Sequence, residues 1–123
     1  MADSRLFRVM SFNGRGFNVH KSGYIKSQLS KTDILFLQEH WLSDDQLRLL
    51  GDIDSNFVYA GVSGFGNIEI LSGRPFGGCA ILWRSSLSVS FAIISTSSRI
   101  ICALRMTSDD LKLSLVNVYM PFE

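Results

Sequence analysis

Apolar residues in the first third of the chain follow strand-like and helix-like patterns in turn. Residues 6–12 are largely apolar and lead into the glycine turn "NGRG", which predicts a first strand. Ile25 and Leu29 lie one helical turn apart among lysines and serines, so residues 21–30 are predicted to form a short helix. The run "DILFLQE" at 33–39 has an unbroken apolar centre, which is typical of a strand buried on both faces of a parallel sheet.

A second helix is predicted to begin after Ser43. Gln46, three residues later, can complete a capping box with Ser43. Asp44 and Asp45 suit the positive end of the helix dipole, and this structural role explains both carboxylates without a metal ion. A short strand at 56–60 is predicted to follow the helix.

The second half of the chain is predicted to consist of strands. A long Gly-rich loop at 61–78 comes first, and loops of this length are often functional or mobile. This loop lacks the lysine and the following helix of a phosphate-binding loop. The strands succeed one another as an antiparallel meander, and with the β-α-β-α-β order before them they predict an α/β protein with a mixed sheet. The strand segments are "GCAILW", "LSVSFAII", "RIICALRM" and "LKLSLVNVYM".

Composition places the chain among globular proteins. It has 123 residues, of which 46% are apolar and 19% charged, and its mean hydropathy is +0.20, so a single domain with a sizeable core is expected. No apolar run approaches the roughly 20 residues of a membrane span, and the first residues lack a signal-peptide core. We therefore expect an intracellular protein without a membrane partner. Cys79 and Cys102 lie singly in apolar segments, which favours buried thiols over a disulfide or a metal site.

Charge is distributed unevenly although the net charge is only +1. Residues 1–31 contain six Lys and Arg against one Asp, and residues 32–73 contain seven Asp and Glu against one Arg. A basic segment followed by an acidic one fits a phosphate-facing edge next to a metal site. It also fits two solvated faces that partly neutralise each other, which is the simpler interpretation.

Two polar residues end neighbouring strands of the predicted β-α-β unit. Parallel strands joined by such a crossover end at the same edge of the sheet, where ligands of α/β proteins bind. The first strand ends at Asn13 and the second at Glu39. An amide oxygen and a carboxylate that converge there would suit Mg2+. The alternative is that Asn13 caps the glycine turn and Glu39 only marks the end of its strand, and spacing leaves both open.

Other candidate residues carry weaker signals. His40 follows Glu39 and is more typical of a packing or surface residue than of a catalytic base, while His20 lies in a polar, solvated context. No serine occupies a Gly-x-Ser-x-Gly elbow and no CxxC pair occurs, which argues against a serine hydrolase and a zinc site. Asn117 and Tyr119 share one face of the last strand and are either a pair at the sheet edge or core residues with satisfied hydrogen bonds.

Four segments together resemble the endonuclease/exonuclease/phosphatase superfamily, and most of all the apurinic-like endonuclease domain of non-LTR (LINE-type) retrotransposons. The resemblance covers essentially the whole chain. Its specific parts are "LQE" after a buried strand and "VNVYMP", whereas "SFNGRG" is weaker alone. The four segments are "FRVMSFNGRG", "TDILFLQEHWL", "GRPFGGCAILWR" and "LVNVYMPFE".

The resemblance implies a four-layer α/β sandwich, in which two mixed sheets pack face to face with helices outside. It implies Mg2+-dependent hydrolysis of a phosphodiester in DNA. By its motifs Glu39 and Asn13 are the metal-site residues, and Tyr119 contacts the region of the scissile phosphate. Arg15 lies in the loop near the phosphate, and Asn117 matches a recurrent position with a structural role.

The family's Gly-Asp-Phe-Asn-type and Ser-Asp-His segments, which supply the activating Asp and the His, do not occur in the chain. Residues 1–123 are therefore expected to be the N-terminal half of the domain, inactive alone and with a weak Mg2+ site at most. Only one sheet's worth of strands is clear from the pattern, so an exposed apolar sheet face and self-association are expected. A non-catalytic module that binds nucleic acid or protein and a phosphatase of the same superfamily are the alternatives. A retroelement protein would be nuclear.

Overall fold

A computed structural model describes residues 6–65 and 76–120. Most of the predicted elements are present in the predicted order, with ends that differ by a few residues. No helix within these two ranges is long and apolar enough to span a membrane. The elements are β1 Val9–Asn13, α1 Val19–Leu29, β2 Ile34–Gln38, a 3₁₀ helix Asp44–Asp52, β3 Phe57–Val62, β4 Cys79–Arg84, β5 Ser90–Ile94, β6 Ile101–Thr107 and β7 Lys112–Val118.

The strands form two sheets. Sheet A has the order β1-β2-β4-β3, and sheet B has the order β5-β6-β7. β1 and β2 are parallel, in a register that pairs Asn13 with Gln38, and all the other neighbours are antiparallel. The predicted α/β class with a parallel first pair is confirmed.

Both helices cover one face of sheet A, and sheet B covers the other. The alternation of side chains along β4 shows the division, because successive residues of a strand point to opposite faces. Ala80 and Leu82 pack with α1 and the 3₁₀ helix, whereas Cys79, Ile81 and Trp83 pack against sheet B. The result is a layered α/β sandwich. The buried residues of the helix side include Ile25, Leu29, Leu35, Leu37, Leu50 and Phe57, and those of the inter-sheet side include Ile34, Ala60, Cys102, Leu104 and Met106.

Three expectations about the strands and the second helix were wrong. β4 does not begin a four-stranded meander but lies in sheet A between β2 and β3, where it is buried on both faces. Two packed sheets are present where only one was clear, so the inner face of sheet B is covered. The second helix is a 3₁₀ helix, although Gln46 Oε1 accepts the predicted hydrogen bond from the Ser43 backbone N–H at 3.1 Å. Most of the Gly-rich loop predicted for 61–78 lies outside the described residues.

β7 forms one edge of sheet B and remains largely exposed. Its exposed apolar side chains include Leu113, Val116 and Val118, each between 43% and 50% exposed. Unpaired edge strands with apolar side chains are sites of strand addition. The structure therefore retains an exposed apolar edge, while the apolar inner face is covered.

Candidate active site

Asn13 and Glu39 meet where β1 and β2 end. The parallel register brings Asn13 opposite Gln38, so the next residue, Glu39, lies within reach of the Asn13 side chain. Asn13 Nδ2 donates a hydrogen bond to Glu39 Oε2, and Asn13 Oδ1 accepts one from the Arg15 backbone N–H at 3.1 Å. Asn13 therefore caps the glycine turn and also orients the carboxylate. We call the two strand ends with Asn13 and Glu39 the site rim.

Backbone strain is concentrated at the site rim. Among the described residues, the non-glycine residues with positive φ are Arg15 at 46°, Glu39 at 57° and Trp41 at 61°. The left-handed conformation costs a non-glycine residue roughly 1–2 kcal/mol. Strain of this kind persists only where the surrounding structure enforces it, and it clusters at functional sites.

Backbone hydrogen bonds between three segments hold this conformation. The loop after β1, the loop after β2 and the segment before β4 are joined by N–H to carbonyl bonds of 2.7–2.9 Å. The rim is consequently a rigid part of the fold that does not depend on side chains alone. The bonds run from Gly14 to Gln38, from Gly16 to Glu39, from Phe17 to His40, from Glu39 to Gly78 and from Trp41 to Gly77.

His40 supports the rim from inside the protein. It is fully buried, its Nδ1 accepts from the Leu42 N–H at 2.9 Å, and its Nε2 therefore donates to the Val62 carbonyl at 2.9 Å. Burial lowers the pKa of His40 to about 4. Gly78, at φ 91°, lies so close to the ring that a β-carbon there would overlap it. The interpretation of His40 as a packing residue is confirmed, and its two nitrogens are not available to a substrate.

The low pKa of His40 predicts a pH-dependent stability. Between about pH 6.5 and pH 4 the unfolded chain binds a proton on this residue and the folded chain does not. The free energy of unfolding should therefore fall as the pH is lowered through this window, by up to about 3 kcal/mol. Urea denaturation of wild type, His40→Gln and the exposed control His20→Gln checks this. A wild-type slope that persists in His40→Gln would contradict it.

Tyr119 approaches the rim through Gly77. Its backbone N–H donates to the Ile100 carbonyl at 2.9 Å, which extends the pairing beyond β7. A β-carbon at Gly77 would be only 3.5 Å from Tyr119 Cε2, so the ring packs on this glycine. The Gly77 carbonyl also accepts a hydrogen bond from the backbone N–H of Trp41, so Gly77 contacts both Tyr119 and the loop that carries Glu39.

Asn117 joins sheet B to sheet A. It is buried, and its Nδ2 donates to the carbonyls of Leu37 at 2.9 Å and Ala80 at 2.8 Å. Its Oδ1 accepts from Gln38 Nε2 at 2.9 Å. Of the two readings open at the level of sequence, the structure supports the satisfied core residue, so Asn117 positions the strand that ends at the rim and does not face a substrate.

Two residues of the site were not assigned from the sequence. Gln38 directly precedes Glu39, and its amide bonds Asn117 and, at 3.2 Å, the Ser11 hydroxyl. Lys21, one of the lysines in the segment predicted to form the first helix, donates from Nζ to the carbonyls of Gly14 at 2.6 Å and Arg15 at 2.7 Å. The "LQE" string was a signal for Gln38, whereas nothing in the spacing of Lys21 distinguished it from other surface lysines.

Comparison with known proteins decides the family. Residues 10–120 match the Endonuclease/Exonuclease/phosphatase family. The chain belongs to this family. No curated protein matches the chain significantly.

Solved structures of the Endonuclease/Exonuclease/phosphatase fold superimpose on most of the chain. The AP endonuclease LMAP from Leishmania major has a TM-score of 0.68 at 16% identity, over 94% of this chain and 40% of that protein. The endonuclease domain of TRAS1, a telomere-specific non-LTR retrotransposon, gives 0.64 at 13% identity, over 94% and 46%. The 3′ phosphatase NExo from Neisseria, bound to product DNA hairpin, gives 0.59 at 20% identity, over 93% and 41%. The chain thus spans less than half the length of each of these structures.

Enzymes of the Endonuclease/Exonuclease/phosphatase family generally use divalent metals. Within residues 6–65 and 76–120 no group of three His, Cys, Asp or Glu side chains could hold a metal ion. The rim nevertheless provides a carboxylate, Glu39, oriented by the amide of Asn13. Mg2+ is commonly held by one or two carboxylates together with water and substrate phosphate. The donors at the rim therefore fit part of a Mg2+ site.

The cysteines belong to the core. Cys79 and Cys102 are free thiols buried between the sheets. Burial raises the pKa of Cys79 to about 12 and that of Cys102 to about 11. The sequence-based prediction of buried thiols is confirmed, and neither thiol is suited to nucleophilic chemistry.

Proposed function

We propose that this chain forms the metal- and phosphate-binding part of a Mg2+-dependent DNA phosphodiesterase, of the kind found in non-LTR retrotransposon endonucleases. The observation that carries the proposal is the convergence of Glu39 and Asn13 at the site rim, with Tyr119 and Arg15 on adjoining segments. Family membership and the likeness to the TRAS1 endonuclease domain support the reaction class.

Within this proposal we assign a role to each residue. Glu39 would hold Mg2+, which as a Lewis acid stabilises charge that develops on the phosphate. Asn13 Nδ2 fixes the orientation of this carboxylate. Tyr119, held against Gly77, positions the phosphate. The exposed guanidinium of Arg15, on a turn fixed by Asn13 and Lys21, provides a positive charge beside it.

In-line attack on a phosphodiester also needs a base, typically contributing roughly 10²–10⁴-fold to the rate. His40 cannot supply it because both of its nitrogens are bonded inside the protein. We therefore propose that the described residues form an incomplete active site, and that the base and further metal ligands come from residues outside them. The exposed edge of β7 is a surface on which a further strand can be added, by additional sequence or by self-association.

A titration with Mg2+ tests the metal site. We expect weak binding in wild type, because the rim offers a single carboxylate, and no measurable binding in Glu39→Ala. Asp52→Ala is the matched control, since Asp52 is an exposed carboxylate at the end of the 3₁₀ helix, and it should bind as wild type does. Binding that survives Glu39→Ala would place the metal site elsewhere and contradict the proposal.

A phosphatase is the second candidate, favoured by the likeness to the Neisseria 3′ phosphatase. The two candidates differ in the bond that is broken, an internal phosphodiester or a terminal phosphate monoester. Duplexes that carry either an abasic site or a 3′ phosphate, offered to the complete domain, separate them. Salt-dependent DNA binding without either reaction would instead favour a non-catalytic binding module.

A further inference from the structure

We propose that a groove beside the site rim binds an unpaired nucleotide, whose base stacks on Trp41 while its phosphate faces Arg15. The groove has a volume of about 310 Å³ and lies between the loop after β1 and the start of the 3₁₀ helix. Its lining includes Arg15, Phe17, Trp41 and Gln46. We call it the Trp41 groove. The inference rests on the proposed function and names a specificity residue for it.

Trp41 is placed for contact with a ligand. It is 38% exposed, although tryptophan usually buries its ring, and its φ of 61° turns it out of the path of β2. The backbone N–H of Trp41 donates a hydrogen bond to the Gly77 carbonyl at 2.9 Å. A β-carbon at Gly16 would lie 2.8 Å from Trp41 Cζ3, so the ring rests directly on the Gly16 backbone. The ring is therefore both exposed and fixed in orientation, which lowers the entropic cost of stacking.

Trp83 shows what a structural tryptophan looks like in this protein. It is only 9% exposed and stacks on Phe91 between the sheets, with ring centroids 5.1 Å apart. Among the residues that the structure describes, no aromatic stacking contact of this kind involves Trp41, whose exposed part lines the groove. A strained backbone, a glycine cradle and an exposed indole at one position are better explained by recognition than by packing.

The chemistry of the groove fits a nucleotide. An aromatic platform beside a positively charged side chain is the combination that binds single-stranded nucleic acid, because every base has a π-face and every linkage a negative charge. The positive charges near the groove include those of Arg15 and of Lys21, whose Nζ is bonded to the Arg15 carbonyl. Trp41 follows Glu39 by two residues, so a base on Trp41 would belong to a nucleotide close to the phosphate at the rim.

Two oligomers separate stacking from charge. One is a short single-stranded oligodeoxythymidylate, and the other has the same length with every base replaced by an abasic tetrahydrofuran unit. We expect Trp41→Ala to weaken binding of the first roughly 5- to 150-fold and to leave binding of the second unchanged. Trp41→Phe should lie between. Arg15→Gln should weaken binding of both oligomers equally. It should also reduce the slope of log affinity against log salt concentration by about 0.7, the value of one phosphate contact with a single strand.

Fluorescence gives a second measurement on the unmodified chain. The base-bearing oligomer should quench the emission of the exposed Trp41, and the abasic oligomer should not. The quenching measurement tests the inference even if Trp41→Ala does not fold. The emission of Trp83, which lies in the core, reports on folding in each variant. Equal losses for the two oligomers in Trp41→Ala or Trp41→Phe, or quenching by both, would overturn the inference.

The outcomes also distinguish the groove from the proposed catalytic role. If Mg2+ binding does not depend on Glu39 but the base-dependent loss on Trp41 substitution remains, the metal assignment fails and the groove stands. If Mg2+ binding depends on Glu39 and Trp41→Ala shows no base-dependent loss, the proposed function stands and the groove is rejected.

Discussion

Replacing Glu39 by alanine should abolish Mg2+-dependent cleavage of DNA by a protein in which this chain is joined to the remaining catalytic segments of a family domain. We expect a loss of at least about 10²–10³-fold, because in the proposed site Glu39 would hold the metal ion, and the metal ion would stabilise charge in the transition state. Tyr119→Ala should cause a smaller loss, since it affects the position of the phosphate and not the charge upon it. Nicking of plasmid and cleavage of an abasic-site duplex measure both effects, with Asp52→Ala as the control.

The 123-residue chain alone should not cut either substrate above background. If it does, and Glu39→Ala removes the activity, the proposal of an incomplete active site is wrong. His40 is not a candidate for an overlooked base, because its ring is bonded to Val62 and Leu42 and is buried. His20, exposed at the start of α1, would then be the residue to substitute first.

Asn117→Ala should cause a large loss of stability. It removes the partner of two buried carbonyls, on Leu37 and Ala80, and of the Gln38 amide. Buried polar groups left without partners cost about 1–3 kcal/mol each, and partial relaxation reduces their sum, so the free energy of unfolding should fall by about 2–4 kcal/mol. Urea denaturation measures this.

Ser114→Ala is the matched control for Asn117, because it lies on the same strand and is exposed. It should change the free energy of unfolding by less than about 0.5 kcal/mol. A loss of similar size in both variants, or no loss in Asn117→Ala, would show that the amide does not hold the two sheets together.

The first half of the fold could be predicted because its signals are local. The helical spacing of Ile25 and Leu29 and the apolar centre of β2 each identify an element without knowledge of the rest of the chain. The meeting of Asn13 and Glu39 followed from one topological rule, that a β-α-β crossover aligns the ends of two parallel strands. These predictions needed only local patterns and this one rule of connection.

The remainder depends on contacts that periodicity does not encode. A strand such as β4, apolar on both faces, is recognisably central, but nothing in it states which sheet it joins. The contact of His40 with Gly78 and that of Asn117 with Leu37 join segments far apart in the sequence, so His40 and Asn117 each retained two interpretations until the structure was known. The positive φ of Trp41 could not be predicted from the sequence either, because tryptophan is not a residue that this conformation favours.

The bond between Asn117 and the Leu37 carbonyl also sets an order of events during synthesis. The two residues are 80 positions apart. At about 5–20 residues per second, β2 leaves the ribosome roughly 4–16 s before the strand that carries Asn117. During this interval Glu39 and Asn13 already exist, but the second sheet that pins the end of β2 does not. The site rim is therefore assembled late, and the nascent chain carries Asn13 and Glu39 for seconds before it can hold them in place.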